Sequence, residues 1–193
     1  MLRILRLLSL LLLVLLVACG GKAPDTLPPP PKPAYDPAAV TWNQETQGIS
    51  LRLEASPDLN HEGDRPLGVT LCVYQLDDPT TFQSLAMSAD GLDQLLDCSL
   101  DAAKARASRA FRVQPGESKD FSCDRVEKAR YLAVVAGYRH MHPDMCTALL
   151  PFPIHHDKEG ILFRDDIYTA APLRALIHLG PESVTVSGVE RVQ

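Results

Sequence analysis

The run His140-Met141-His142, followed by Asp144 and Cys146, holds the most suggestive side chains in the chain. Imidazole, thioether, carboxylate and thiol are donor types that suit a soft transition metal such as copper. On an extended segment His140 and His142 would share one side. Pro143 interrupts that segment, however, and a disulfide count (below) claims Cys146, so the expectation is a solvated turn between two strands. Solute or metal binding through His140 and His142 is the alternative. His155-His156-Asp157 is weaker, because adjacent strand residues point to opposite faces. Asp165-Asp166 could act as paired carboxylates, but nothing in the sequence supplies a pocket, and a solvated charge pair is expected. Among eleven glycines the only adjacent pair is Gly20-Gly21, so no phosphate loop is present. No G-x-S-x-G elbow, H-E-x-x-H helix or kinase set occurs either. The expectation is therefore a chain that is no enzyme, with no cofactor, metal or small-molecule substrate.

The cysteines carry a different chemistry. The N-terminus has Arg3 and Arg6 ahead of an apolar run over residues 7–17 that only Ser9 breaks. At ~1.5 Å per residue this run is far shorter than the ~30 Å hydrocarbon core, which makes residues 1–18 a cleaved signal peptide rather than a spanning helix. Leu16-Val17-Ala18-Cys19 resembles the lipobox of bacterial lipoproteins, with an aliphatic residue at −3 and cysteine at +1. That resemblance implies a diacylglycerol on the Cys19 thiol and a third acyl chain on the new N-terminus. Each buried methylene contributes ~0.8 kcal/mol, and two or more chains anchor firmly. Gly20 in place of aspartate after the lipidated cysteine implies the outer membrane, periplasmic face. Losing Arg3 and Arg6 moves the net charge from −5 to −7. An acidic domain has no basic face for nucleic acid, and it holds the membrane through its acyl chains. With Cys19 set aside, Cys72, Cys98, Cys123 and Cys146 remain in an oxidising compartment, and no CxxC pair speaks for zinc. Two disulfides are expected from three possible connectivities. The favoured pairing is Cys72–Cys146, both on strands, with Cys98–Cys123 straddling a hairpin.

These residues need a scaffold, and 193 residues with 46 % apolar and 22 % charged side chains suffice for one modest globular domain. Seven of the sixteen prolines fall between Pro24 and Pro37. Residues 19–48 are expected to be a lipidated, polyproline-rich tether with too few apolar groups to fold. The domain is expected over residues 49–193. Ile49, Leu51, Leu53 and Ala55 alternate with polar residues, the mark of a half-buried strand. Residues 56–68 read as a polar, turn-rich loop. Residues 69–76 are apolar on both faces and read as a central strand. Asp78-Pro79 starts a helical insertion over about residues 79–105, one broken helix or two short ones. Residues 110–113 and 118–123 are expected to form a hairpin around Gln114-Pro115-Gly116-Glu117. Residues 130–139 and 145–152 supply two more strands, 154–172 a long polar excursion, and 174–179 with 184–189 a closing hairpin. About eight short strands and one helical insertion give a mostly β, two-sheet sandwich.

The order of these segments resembles one family. Ala55-Ser56-Pro57-Asp58-Leu59-Asn60 precedes a loop that closes at Arg65-Pro66, and Val73-Tyr74-Gln75-Leu76 is followed by Asp77-Asp78-Pro79-Thr80-Thr81-Phe82. Gln114-Pro115-Gly116-Glu117-Ser118 and Ala129-Arg130-Tyr131-Leu132-Ala133-Val134-Val135-Ala136 come next. Over roughly residues 49–151 this is similar to the outer-membrane lipoprotein of the type VI secretion system, the TssJ (SciN) family. The resemblance implies a transthyretin-like β-sandwich with its helical insertion after the second strand. It also implies a partner, the periplasmic C-terminal part of an inner-membrane IcmF-like (TssM) protein. The contact element it implies is the loop between the first two strands, here residues 56–68, with Asp58, Leu59, Asn60 and Arg65 as the contact residues. Cys72 and Cys146 depart from the family pattern, and the region beyond Pro151 is longer than usual.

Overall fold

The computed structural model describes residues 32–160 and 164–187. The expected signal peptide, the lipidated Cys19, the tether up to Pro31 and residues 188–189 of the closing strand lie outside the described residues. In chain order the elements are β1 (Glu45–Ala55), β2 (Val69–Leu76), α1 (Thr80–Ala86), α2 (Ala89–Leu96), β3 (Ala107–Val113), β4 (Ser118–Arg125), β5 (Tyr131–Ala136), β6 (Thr147–Pro151), β7 (Ile154–Glu159), β8 (Asp165–Ala170), β9 (Leu173–Leu179) and β10 (Val184–Ser187). Two four-stranded sheets, ordered β10-β9-β1-β4 and β3-β2-β5-β6, make the sandwich, and β7-β8 is a separate pair. Apart from the parallel β1–β9 pair, the ladders are antiparallel.

Alternation along the strands explains the core. Ile49, Leu51 and Leu53 of β1 and Leu173, Ile177 and Leu179 of β9 are buried on one side of their sheet. Leu71 and Val73 of β2, Leu132 and Val134 of β5 and Phe111 of β3 come from the other sheet. The Phe111 and Phe121 rings meet edge-on at 4.8 Å, with the Arg109 guanidinium over both. β2 is apolar on its second face for a separate reason: the two helices cover it. Tyr74 lies against Phe82 of α1 and donates its hydroxyl to the Leu95 carbonyl of α2. The helices approach closely because position 91 is glycine, where a Cβ would sit 2.1 Å from the Leu85 carbonyl oxygen. Ser88 Oγ caps α2 by accepting from Gly91 N at 3.1 Å, and ahead of α1 Asp78 Oδ1 accepts from Thr80 N at 2.8 Å.

Four expectations are corrected. Residues 110–113 and 118–123 do not pair as a hairpin. β3 joins β2 and β4 joins β1, so residues 114–117 turn a corner between sheets, a choice that alternation along either strand cannot encode. Within the expected polar excursion 154–172, residues 154–159 and 165–170 form an antiparallel pair, which raises the strand count among described residues to ten. The chain also joins the domain well before Ile49. Ala34 bridges Tyr168 through backbone bonds of 3.0 and 2.7 Å, Val40 is buried, and β1 already starts at Glu45.

The disulfide pairing is the fourth. Cys72 is bonded to Cys98, with 5.4 Å between Cα atoms, while Cys123 and Cys146 are free. Cys72 and Thr147 both pair with Val135 and so share the helix-covered face of the sheet. Cys146, one residue earlier, takes the opposite face, towards the interior between the sheets. Cys123 also faces that interior, 4.0 Å from Gln75 Nε2. Cys98 follows α2 and comes down on Cys72 from the helix side, so the sheet itself separates each of the expected pairs.

Candidate functional site

One end of the sandwich gathers four connections: residues 56–68 between β1 and β2, 114–117, 137–146 and 180–183. The longest, residues 56–68, is built on local hydrogen bonds. Ser56 N donates to Leu179 O at 2.8 Å, and Leu59 N returns to Ser56 O at 3.1 Å to close a turn. Ser56 Oγ donates to Asp58 Oδ1, and this bond holds the Asp58 carboxyl below its ordinary pKa, helped by nearby His61. At the tip, Glu62 and Arg65 exchange backbone bonds of 2.8 and 3.1 Å around Gly63, whose φ of +59° favours glycine.

The structure separates the four expected contact residues into two pairs. Asp58 and Arg65 are exposed. Leu59 is 0 % exposed and belongs to the hydrophobic core, where it roots the loop. Asn60 is 8 % exposed. It sits at φ 48°, a left-handed conformation that asparagine tolerates well. Its N–H donates to Pro181 O at 2.7 Å, its Oδ1 accepts from Arg139 N at 2.6 Å, and its Nδ2 donates to Gly68 O at 3.3 Å. Asn60 thus ties three of the four connections together. The sequence pattern Ser-Pro-Asp-Leu-Asn signals a turn, but turn residues do not reveal whether a side chain points out or in.

Arg139 is the residue that sequence reasoning missed. Its guanidinium pairs with Glu62 Oε1 at 2.7 Å, bracing the tip from the neighbouring connection. Its position directly after the β5 alternation was the available signal, since β2 and β5 are neighbours. An open hollow of ≈ 700 Å³ is lined by Pro57, Asp58, His61, Gly63, Asp64 and Pro66. The exposed charges here are mixed, with Asp58, Glu62 and Asp64 beside Arg65 and Arg139. Such a surface suits a polar protein–protein contact.

The histidine runs are dispersed. His140 and His142 are exposed in the connection 137–146, whereas Cys146 is buried. Among the described residues no three His, Cys, Asp or Glu side chains approach closely enough to hold a metal ion. His156 stacks on Tyr168 at 4.8 Å and pairs with Asp166 at 2.8 Å, while His155 takes the other face of the β7–β8 pair. The His156 hydrogen bond, helped by Lys158 at 3.8 Å, holds the Asp166 carboxyl below its ordinary pKa.

A family model described as "Type VI secretion lipoprotein, VasD, EvfM, TssJ" matches residues 47–173. The T6SS lipoprotein TssJ1 from Pseudomonas aeruginosa is similar in fold, with 19 % identity and a TM-score of 0.53 over 75 % of this chain and 95 % of that one. The Serratia marcescens Lip structure, a membrane bound component of the Type VI Secretion System, gives 19 % identity and 0.55 over 72 % and 96 %. A structure reported as the T6SS protein TssM C-terminal domain from EAEC gives 19 % and 0.52 over 73 % and 98 %. No curated protein matches the chain significantly. At these identities the structural likeness speaks for the fold alone.

Proposed function

The chain belongs to the type VI secretion lipoprotein family, and from that membership we propose that it is a periplasmic lipoprotein anchored in the outer membrane through Cys19. Its task in this reading is to dock the periplasmic C-terminal domain of an inner-membrane IcmF-like (TssM) protein, as part of the membrane complex of that secretion system. The carrying observation is the match over residues 47–173, which contains most of β1, all of β2 to β8 and the whole loop 56–68.

The loop is suited to this work. It is pinned from below by Leu59 and Asn60 and braced from the side by Arg139, so little conformational entropy is left to lose when a partner binds. Asp58 and Arg65 remain available on the exposed rim. The role is structural rather than catalytic, and the acyl chains supply the membrane hold.

Two experiments test the reading. Replacing residues 56–68 by an unrelated loop of equal length should abolish co-purification of the IcmF-like periplasmic domain. Retained co-purification contradicts the docking assignment. Cys19→Ser should move the protein from the membrane to the soluble periplasmic fraction. Persistent membrane association contradicts the lipid anchor.

A further inference from the structure

The segment ahead of β1 is attached to the domain at several points that have no part in the docking loop. Ala34 extends the β7–β8 pair by bridging Tyr168. Asp36 Oδ1 caps the short 3-10 turn Pro37–Ala39 at 2.8 Å. Val40 is 5 % exposed, and Trp42 O accepts from Lys128 N at 2.7 Å. The Trp42 ring packs 6.4 Å from Phe152, and the Arg125 guanidinium lies over both rings at 5.1 and 5.6 Å. Arg125 is 2 % exposed and pairs with Glu45 at 2.8 Å, and Gln44 Nε2 reaches Asp124 Oδ2 at 3.4 Å.

All of these contacts lie at the end of the sandwich where β1 and β5 begin and β2, β4 and β6 finish. The loop 56–68 and its three neighbours lie at the other end, one length of β1 away. β1 has 11 residues, which at ~3.3 Å per residue is about 35 Å.

We infer that residues 32–44 are a strap that withdraws half of the tether into the domain and sets the domain's polarity, with the end bearing the docking loop facing away from the membrane. The inference rests on the proposed anchor at Cys19. With the strap docked, about 13 residues separate Cys19 from Lys32, a contour of ~40 Å at ~3.1 Å per residue. With the strap released, about 26 residues lead to Glu45, or ~80 Å. The strap is therefore a twofold control on how far from its membrane the domain can stand.

Trp42 is the sole tryptophan, so its emission reports the strap directly. In Val40→Asp a carboxylate replaces the buried apolar contact outside every strand, which should release the strap and leave the sandwich folded. The full lipidated chain would be placed on a supported phospholipid bilayer and the protein layer measured by neutron reflectivity. For the wild type we expect Trp42 shielded from acrylamide and the layer held within the shorter contour. For Val40→Asp we expect loss of shielding and a layer extending up to twofold further, with thermal unfolding still cooperative at a lower midpoint. Should Val40→Asp leave Trp42 shielded, replacing residues 32–41 by a glycine-serine run of equal length removes the attachment outright. An unchanged layer in that variant overturns the inference. A Cys19→Ser chain that still binds the bilayer overturns the anchor instead, and leaves the Trp42 comparison on the soluble chain to decide strap docking.

Discussion

Leu59 and Asn60 stand beside Asp58 in the sequence, yet they do different work. Leu59→Ala empties a fully buried site and should cost about 2–5 kcal/mol in urea unfolding. Asn60→Ala strands the Arg139 N–H and the Gly68 carbonyl and should cost about 1–3 kcal/mol. Asp58→Ala and Arg65→Ala should leave stability within about 0.5 kcal/mol, because both side chains are exposed. Comparable losses for all four would contradict this division. Tyr74 gives a second prediction at this scale. Burial pushes its phenol up to about 12 from an ordinary value of 10.0. The folded state then binds the proton more tightly than the unfolded state does. Its contribution is present in full below pH 10 and is lost as pH rises towards 12. Burial raises Tyr138 in the same direction, so it adds to the alkaline loss. Tyr74→Phe should cost about 1 kcal/mol at neutral pH through the hydrogen bond to Leu95. It should also flatten, without abolishing, the fall in stability on the alkaline side. An unaltered alkaline slope contradicts the assignment.

Among the elements, those set by local patterning were legible and those set by long-range choice were not. β2 read as a central strand because Leu71 and Val73 face one layer while Cys72, Tyr74 and Leu76 face another. The helical insertion was legible from Asp78-Pro79 and the apolar spacing that follows. The corner at residues 114–117 was not, since a tight turn looks the same whether its strands pair or part. The strap was hidden because Pro33 and Pro37 interrupt its apolar residues, and the partners that hold it, Tyr168, Lys128 and Phe152, are distant in sequence. In the docking loop, position and turn chemistry were legible, whereas the inward aim of Leu59 depends on the rest of the sandwich. The cysteines failed for the same reason: parity around Cys146 is decided by the β5–β6 register. One bridge spanning 26 residues follows, and Cys98→Ser should cost roughly 3.5 kcal/mol in the chain-entropy model. Cys123→Ser and Cys146→Ser should retain the bridge. A Cys98-containing peptide joined to Cys123 in a non-reducing digest contradicts this pairing.

As a whole molecule, the proposed function and strap give the two ends of the sandwich separate duties, attachment at Trp42, Arg125 and Phe152 and docking around residues 56–68. The β-sandwich lies between the two ends, one length of β1 apart. The central claim is that the exposed rim of the loop carries the partner. Its most direct measurement is a calorimetric titration of the Cys19→Ser chain with the periplasmic C-terminal domain of the IcmF-like protein, repeated with Asp58→Ala and Arg65→Ala combined. Binding weakened at least about tenfold, ~1.4 kcal/mol, with unchanged unfolding is the predicted result; equal affinity for both chains would contradict it.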